Sequence, residues 1–234
     1  MLPFQQYHWR STYKASSQKI ITMNNLSTYF DFIYKQGLWG AQYSSGQGSH
    51  WPPLVNAYVD CFRTFLREEI VSNYTTIIDI GCGDFNIGKN FIDDCKQLIG
   101  IDVSQSIINM NKDKYQFKNI HFLCLDARKD KLPDGDIAIL RQVLQHLDNR
   151  SISEILENIK RTSCSWLIVT EHIPACTFDA NQDIPKASAN IRLNIKSGID
   201  IEKSPFNICA LEKQLLLSYY GFGGIIQTIA YRIK

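Results

Sequence analysis

Ile77-Ile78-Asp79-Ile80-Gly81-Cys82-Gly83-Asp84 decides the fold. An apolar run ends in an acid and breaks at two glycines one residue apart. That is the pattern of a buried strand, a tight turn and a helix opening near Gly88. Glycine accepts positive φ and lets a ligand approach the main chain. A second apolar run, Gln97-Leu98-Ile99-Gly100-Ile101-Asp102, ends in another acid. An acid at the second strand tip, roughly 20 residues past a glycine-rich turn, is the usual partner of a ribose diol. Together the two runs point to a nucleoside-containing cofactor at the carboxyl ends of parallel strands.

The turn chemistry narrows the cofactor. A dinucleotide fingerprint has a third glycine that seats a helix against a pyrophosphate; here Asn86 stands in its place. Asp84 would also repel a pyrophosphate. The stretch Asp79-Ile80-Gly81-Cys82-Gly83-Asp84 resembles the first motif of the class I S-adenosylmethionine (SAM)-dependent methyltransferases, D/E-x-G-x-G-x-G, until Phe85 replaces the last glycine. SAM carries an amino group and a sulfonium and no phosphate, so Asp79 and Asp84 suit it. The resemblance covers roughly residues 55 to 172. It implies an α/β fold, Rossmann-like and doubly wound, with a mostly parallel sheet and helices on both faces. It places Asp102 and Val103 at the ribose, and Asp126 and Ala127 near the adenine amino group. Arg141, at the end of the fourth strand, joins Asp79, Gly81, Gly83 and Asp84 around the rest of the cofactor. S-adenosylhomocysteine (SAH) is the implied product.

Length and composition bound the remainder. A chain of 234 residues suits one α/β domain. A net charge of +2 gives no basic field, so no nucleic-acid partner is indicated. Seven cysteines without a C-x-x-C pair read as free thiols of a reducing cytoplasm, not a disulfide framework or zinc site. No apolar run reaches the length of a membrane span. Residues 1–22 contain no Asp or Glu and carry Arg10, Lys14 and Lys19. An organellar leader has this bias; a simple extension, or a start outside the native chain with Met23 as initiator, is the preferred reading. Residues 23–234 then form the single domain.

Along that domain the pattern predicts a helix over 24–35 and a Gly/Ser-rich loop over 36–53. Val55, Val59, Phe62 and Leu66 fall at helical spacing. There follow a strand over 77–80, a helix over 88–95, a strand over 97–102, and a helix over 104–114 capped by Ser104. Strands over 120–125 and 137–140 end at Asp126 and Arg141. Ser151-Ile152-Ser153-Glu154 reads as a capping box opening the next helix. Residues 166–170 form a fifth buried strand ending at Glu171-His172. The segment 173–207 is irregular. Leu211, Leu215 and Leu216 mark a last helix, and residues 225–233 a last strand. The family normally ends in an antiparallel hairpin, and one run alone is visible there.

The loop over 37–53 has the length of a lid; Trp39, Ser45 and Gly46 are its candidate contacts to the cofactor. Arg141-Gln142-Val143-Leu144-Gln145-His146 resembles the E-V-L-E-H of metal-assisted members, but Gln142 and Gln145 replace both carboxylates. Amides are poor ligands for Mg²⁺, so no metal is expected. His146 and His172 are candidate bases, because imidazole takes a proton near neutral pH; Glu171 is a candidate support. Arg192 and Asn190, in the insert over 173–207, are candidate acceptor contacts, the guanidinium clamping an anion. The reading is a SAM-dependent methyltransferase for a small-molecule acceptor, a metabolite or glycan, methylated at oxygen. The alternatives are a protein or RNA methyltransferase, an NAD-binding oxidoreductase, or a non-catalytic SAM-binding module. The oligomeric state is not legible.

Overall fold

A computed structural model describes residues 25–70 and 75–234. The reading of residues 1–22 as an extension falls outside the described residues. Seven strands form one sheet: β1 (Thr76–Ile80), β2 (Gln97–Asp102), β3 (Ile120–Cys124), β4 (Ile137–Arg141), β5 (Trp166–Ile173), β6 (Glu212–Gly221) and β7 (Gly224–Arg232). Their order is β3-β2-β1-β4-β5-β7-β6. The first five are parallel, and β7 runs antiparallel to both β5 and β6. The chain reverses its direction of winding between β1 and β4. In open α/β sheets the crevice at that switch point receives the ligand.

Alternate residues of the buried strands feed two cores, one on each face. Ile78, Ile80, Leu140 and Leu167 pack with Ile152, Ile155 and Ile159 of α5 (Asn149–Lys160) and with Ile33 of α1 (Leu26–Gln36). Ile77, Leu98, Ile137 and Ile168 pack with Phe62, Phe65 and Leu66 of α3 (Pro52–Glu69) and with Ile107 and Ile108 of α4 (Gln105–Lys114). Each fully buried side chain of this size contributes about 1.5–3 kcal/mol. Near-continuous burial explains why β1, β2 and β4 read as apolar runs without alternation.

Local signals set several boundaries. Ser104 caps α4, its hydroxyl accepting from Ile107 N at 3.3 Å. Gly37, at φ 63, ends α1 in the left-handed conformation that needs no Cβ. Trp51-Pro52-Pro53 opens α3 with proline where no N–H is needed. The predicted lid loop is interrupted by a short helix, α2 (Gln47–His50).

Three expectations are corrected. Residues Gly88–Asp94 form a 3₁₀ helix, not an α-helix. The cap of α5 is Asp148, whose carboxylate accepts from Ser151 N at 2.9 Å and from the Ser151 hydroxyl at 3.0 Å; Ser151 lies inside the helix. The segment read as a last helix is β6, so the sheet does end in an antiparallel hairpin. A register shift between Leu215 and Leu217 inserts an extra residue in β6, and this bulge erases the two-residue alternation that marks a strand.

Candidate active site

A cavity of about 340 Å³ lies at the carboxyl ends of β1, β2, β4 and β5. This falls in the range of small-molecule sites, roughly 300–1,000 Å³. Its floor is the β1 turn. Gly81 N and Cys82 N both donate to Ile101 O, at 2.7 and 2.9 Å, fixing the turn against β2. Gly81 and Gly83 have φ of 76° and 53°. A Cβ on Gly81 would collide with the Val143 side chain, and one on Gly83 with Ser45 Oγ. Both glycines are therefore demanded first by the protein's own packing.

Two carboxyls face the cavity. Asp102 Oδ2 accepts from Gly83 N at 3.1 Å and from Tyr34 Oη at 3.4 Å, while Oδ1 accepts from Ser104 N at 2.9 Å. Burial pushes this carboxyl up to about 6, against those three donors. Burial also pushes Asp79 up to about 7, against the pull of Arg141. A neighbouring cation would favour the charged form of both. Asp126, Ala127 and Val103 line the adjoining wall. The Asp126 carboxylate is already gripped by Arg128, through Nε at 2.9 Å and Nη2 at 2.6 Å. Burial opposes ionisation there, and the Arg128 hydrogen bonds overcome it, so its pKa is lowered.

The loop after α1 closes the roof by several ties, among them His50 Nε2, 2.5 Å from Asp84 Oδ2. Ser45 N donates to Asp84 Oδ2 at 3.0 Å and Asp84 N donates to Ser45 Oγ at 2.8 Å. Asp84 is thus a latch for the roof, and it does not line the cavity. Arg141 reaches under α2, donating to Gly48 O at 2.7 Å and Ser49 Oγ at 3.1 Å. Its guanidinium lies 4.9 Å from the centroid of Tyr58. Trp39 Nε1 donates to Ala189 O at 3.0 Å, and its ring packs edge-on against Tyr34. Trp39, Ser45 and Gly46 all border the cavity.

The far end carries the histidines. His146 Nδ1 lies 3.0 Å from Ser188 O and 3.2 Å from Asn190 O. Two carbonyl partners require a proton on Nδ1, which leaves the Nε2 lone pair as an acceptor. Burial lowers the His146 pKa to about 4, against those carbonyls. Burial also lowers that of His172. His172 Nε2 is buried and has no hydrogen-bond partner among the described residues. Gln145 joins the pair: its Oε1 accepts from His172 N at 3.3 Å, and its Nε2 lies 3.4 Å from His146 Nε2. Both histidines line the cavity.

Three expected acceptor-side residues do not reach the cavity. Glu171 points to the opposite face of β5, where Oε1 accepts from Leu144 N at 3.2 Å. It braces the 3₁₀ turn Leu144–His146 from behind. Arg192 is fully buried, donating to Leu147 O, Asn149 Oδ1 and Gln182 O; it pins the insert and cannot clamp an acceptor. Asn190 contributes its carbonyl to His146, and its side chain faces solvent. Among the described residues no three His, Cys, Asp or Glu side chains gather as a metal site. The sequence reading missed Tyr34, Gln145 and Tyr58. Tyr34 was detectable, since it shares the buried face of α1 with Phe30 and Ile33.

A family model described as a methyltransferase domain matches residues 77–163, from β1 to the foot of β5. That segment of the chain thus matches a methyltransferase domain. No curated protein matches the sequence. The methyltransferase fold is shared with magnesium protoporphyrin IX methyltransferase from Synechocystis PCC 6803 with bound SAM, at 16% identity and a TM-score of 0.58; the match covers 88% of this chain and 96% of that one. NodS, an N-methyltransferase from Bradyrhizobium japonicum WM9 in complex with SAH, is 13% identical with a TM-score of 0.57, covering 78% and 89%. Human N-acetylserotonin methyltransferase with SAM is 18% identical with a TM-score of 0.53, covering 87% and 58%. These structures hold SAM or SAH, and the residues present here fit that group. The positive-φ turn brings main chain to the cavity, two buried carboxyls await a cation or hydroxyls, and Leu26, Phe30 and Val103 give an apolar wall.

Proposed function

We propose that this methyltransferase moves the SAM methyl group to a hydroxyl of a small-molecule acceptor, with His172 or His146 taking the proton. The observation that carries this reading is His172 Nε2: buried, without a hydrogen-bond partner among the described residues and bordering the cavity, with burial favouring the neutral ring. When bound, SAM supplies an already activated methyl group. The residues of this chain then have three tasks: to align the acceptor, to exclude water and to receive a proton. Asp102 would hold the ribose hydroxyls, with the Gly81 turn beneath and Trp39, Ser45 and Gly46 above. No metal takes part in this scheme. A small acceptor is supported by the closed roof, whose ties leave a cavity of metabolite scale. Two neighbours, a magnesium protoporphyrin IX methyltransferase and an N-acetylserotonin methyltransferase, point the same way. NodS is an N-methyltransferase, so oxygen rests on the histidines and not on the neighbours. A cytoplasmic site fits the seven free cysteines, and among the described residues no helix is long and apolar enough to cross a membrane.

The test is methyl transfer from labelled SAM to a panel of metabolite-sized alcohols, phenols and amines. His172→Ala should lower kcat by about 10²–10⁴-fold with SAH affinity unchanged. If the His146 and His172 single variants and the double variant all retain normal turnover, neither histidine is the base.

A further inference from the structure

The tip of the β6–β7 hairpin holds a residue that its turn does not favour. Gly221 pairs with Gly224, leaving Phe222 and Gly223 as a two-residue loop. Their φ values are 54° and 83°. Positive φ at both central positions is the requirement of a type I′ turn, which favours Asn-Gly or Asp-Gly. Gly223 meets that requirement. A phenylalanine at the first position does not, because its Cβ crowds the main chain in the left-handed region. Strain of this kind persists where the surroundings enforce it, and it clusters at ligand sites.

The ring of Phe222 explains where the compensation lies. It borders the cavity beside His172 and Ile226. Trp51, at the start of α3, packs edge-on to it with ring centroids 6.5 Å apart. Trp51 is itself fixed, its Nε1 donating to Tyr219 Oη at 2.9 Å. Both rings remain partly open, Trp51 43% and Phe222 38% exposed. The hairpin also touches the candidate base: a Cβ on Gly224 would come 2.9 Å from His172 Nε2. Phe222 thus stands at the histidine end of the cavity with its ring partly open, braced by Trp51 from outside the cavity lining.

We infer that Phe222, backed by Trp51, is a specificity-determining residue that stacks on an aromatic ring of the acceptor, so that the acceptor is a phenol-type compound. This rests on the reading of the cavity as the methyl-transfer site. Aromatic pairs favour offset or edge-on geometry and add attraction beyond the area they bury. A phenolic hydroxyl carried by such a ring would fall next to His172.

The inference makes stability and binding move in opposite directions. Phe222→Asn converts the tip to the favoured Asn-Gly turn and should raise Tm by about 2–4 °C. It should also weaken binding of 2-naphthol to the SAH-loaded protein by about tenfold, without altering SAH affinity. Phe222→Tyr should retain 2-naphthol binding. Calorimetry with SAH, then with 2-naphthol or cyclohexylmethanol, reads all of these. Overturning results are cyclohexylmethanol binding as tightly as 2-naphthol, no 2-naphthol binding to the SAH-loaded wild type, or 2-naphthol affinity unchanged in Phe222→Asn. Wild-type protein that does not bind SAH at all refutes the methyl-transfer reading itself; the other failures leave that reading intact.

Discussion

Gly83→Ala perturbs the floor and the roof of the cavity in one step. Gly83 sits at φ 53°, where an alanine costs about 1–2 kcal/mol. Its new Cβ would also collide with Ser45 Oγ, and Tyr34 Oη would lie 3.2 Å away. Ser45 must move, and with it go two of the hydrogen bonds that latch the roof to Asp84, at 3.0 and 2.8 Å. The acceptor of one is a carboxylate, so the pair contributes about 2–4 kcal/mol. Losing the latch opens the roof in the free protein, and a ligand that needs it closed must supply that energy on binding. SAH affinity should therefore fall at least about tenfold, 1.4 kcal/mol. Calorimetry measures the affinity, and hydrogen exchange at residues 44–49 measures the latch. The second variant Gly83→Ala with Ser45→Gly removes the colliding hydroxyl and should recover part of the affinity. SAH binding to Gly83→Ala at the wild-type level would refute the reasoning. So would a loss that Ser45→Gly does nothing to relieve, because the collision would then not be its cause.

The remaining predictions concern protons. Glu171 has a folded pKa raised by burial to about 8, so the folded state holds its proton more tightly than the unfolded chain. Its contribution to stability is full below the unfolded carboxyl range and is lost as pH rises through about 8. Glu171→Gln should thus stabilise the protein at pH 8 by a margin that vanishes near pH 4, read by denaturant melts at the two pH values; a variant destabilised at pH 8 would contradict the buried-acid picture. Gln145→Glu places a carboxyl 3.4 Å from His146 Nε2, and attraction of about 4 kcal/mol at that range should carry the His146 pKa from about 4 towards 7. Titration of the imidazole by NMR checks this, and a value remaining below 5 would show that the two side chains do not face each other.

How much could be read beforehand follows from how local each signal is. The β1 turn, the acids ending β1 and β2, and the Ser104 cap are written in a few adjacent residues, and the structure places them as the sequence implied. Failures came where a distant partner decides the matter. Leu211, Leu215 and Leu216 look helical because the bulge in β6 hides its alternation; only pairing with β7 selects the strand. Arg192 looked like an anion clamp because nothing near it in sequence shows that Leu147, Asn149 and Gln182 would satisfy its guanidinium. Glu171 and His172 are neighbours on one strand, so they must face opposite sides of the sheet, and only one could border the cavity. Alternation alone could have separated them. Asp84 matched the motif by position, but its partner in space is Ser45, in a loop whose course the sequence left open.

The most direct test of the central claim is calorimetric titration with SAH and with NAD of the wild-type protein, Asp102→Ala and Asp102→Asn. The account predicts that the wild type binds SAH and not NAD. It predicts that Asp102→Ala weakens SAH binding at least about tenfold, since charge-assisted hydrogen bonds contribute roughly 1.5–3 kcal/mol each. Asp102→Asn keeps one acceptor oxygen, enough for the amide of Gly83 or of Ser104 but not both, and loses the charge, so it too should weaken SAH binding. Unchanged SAH affinity in both variants, or tighter binding of NAD than of SAH, would contradict it.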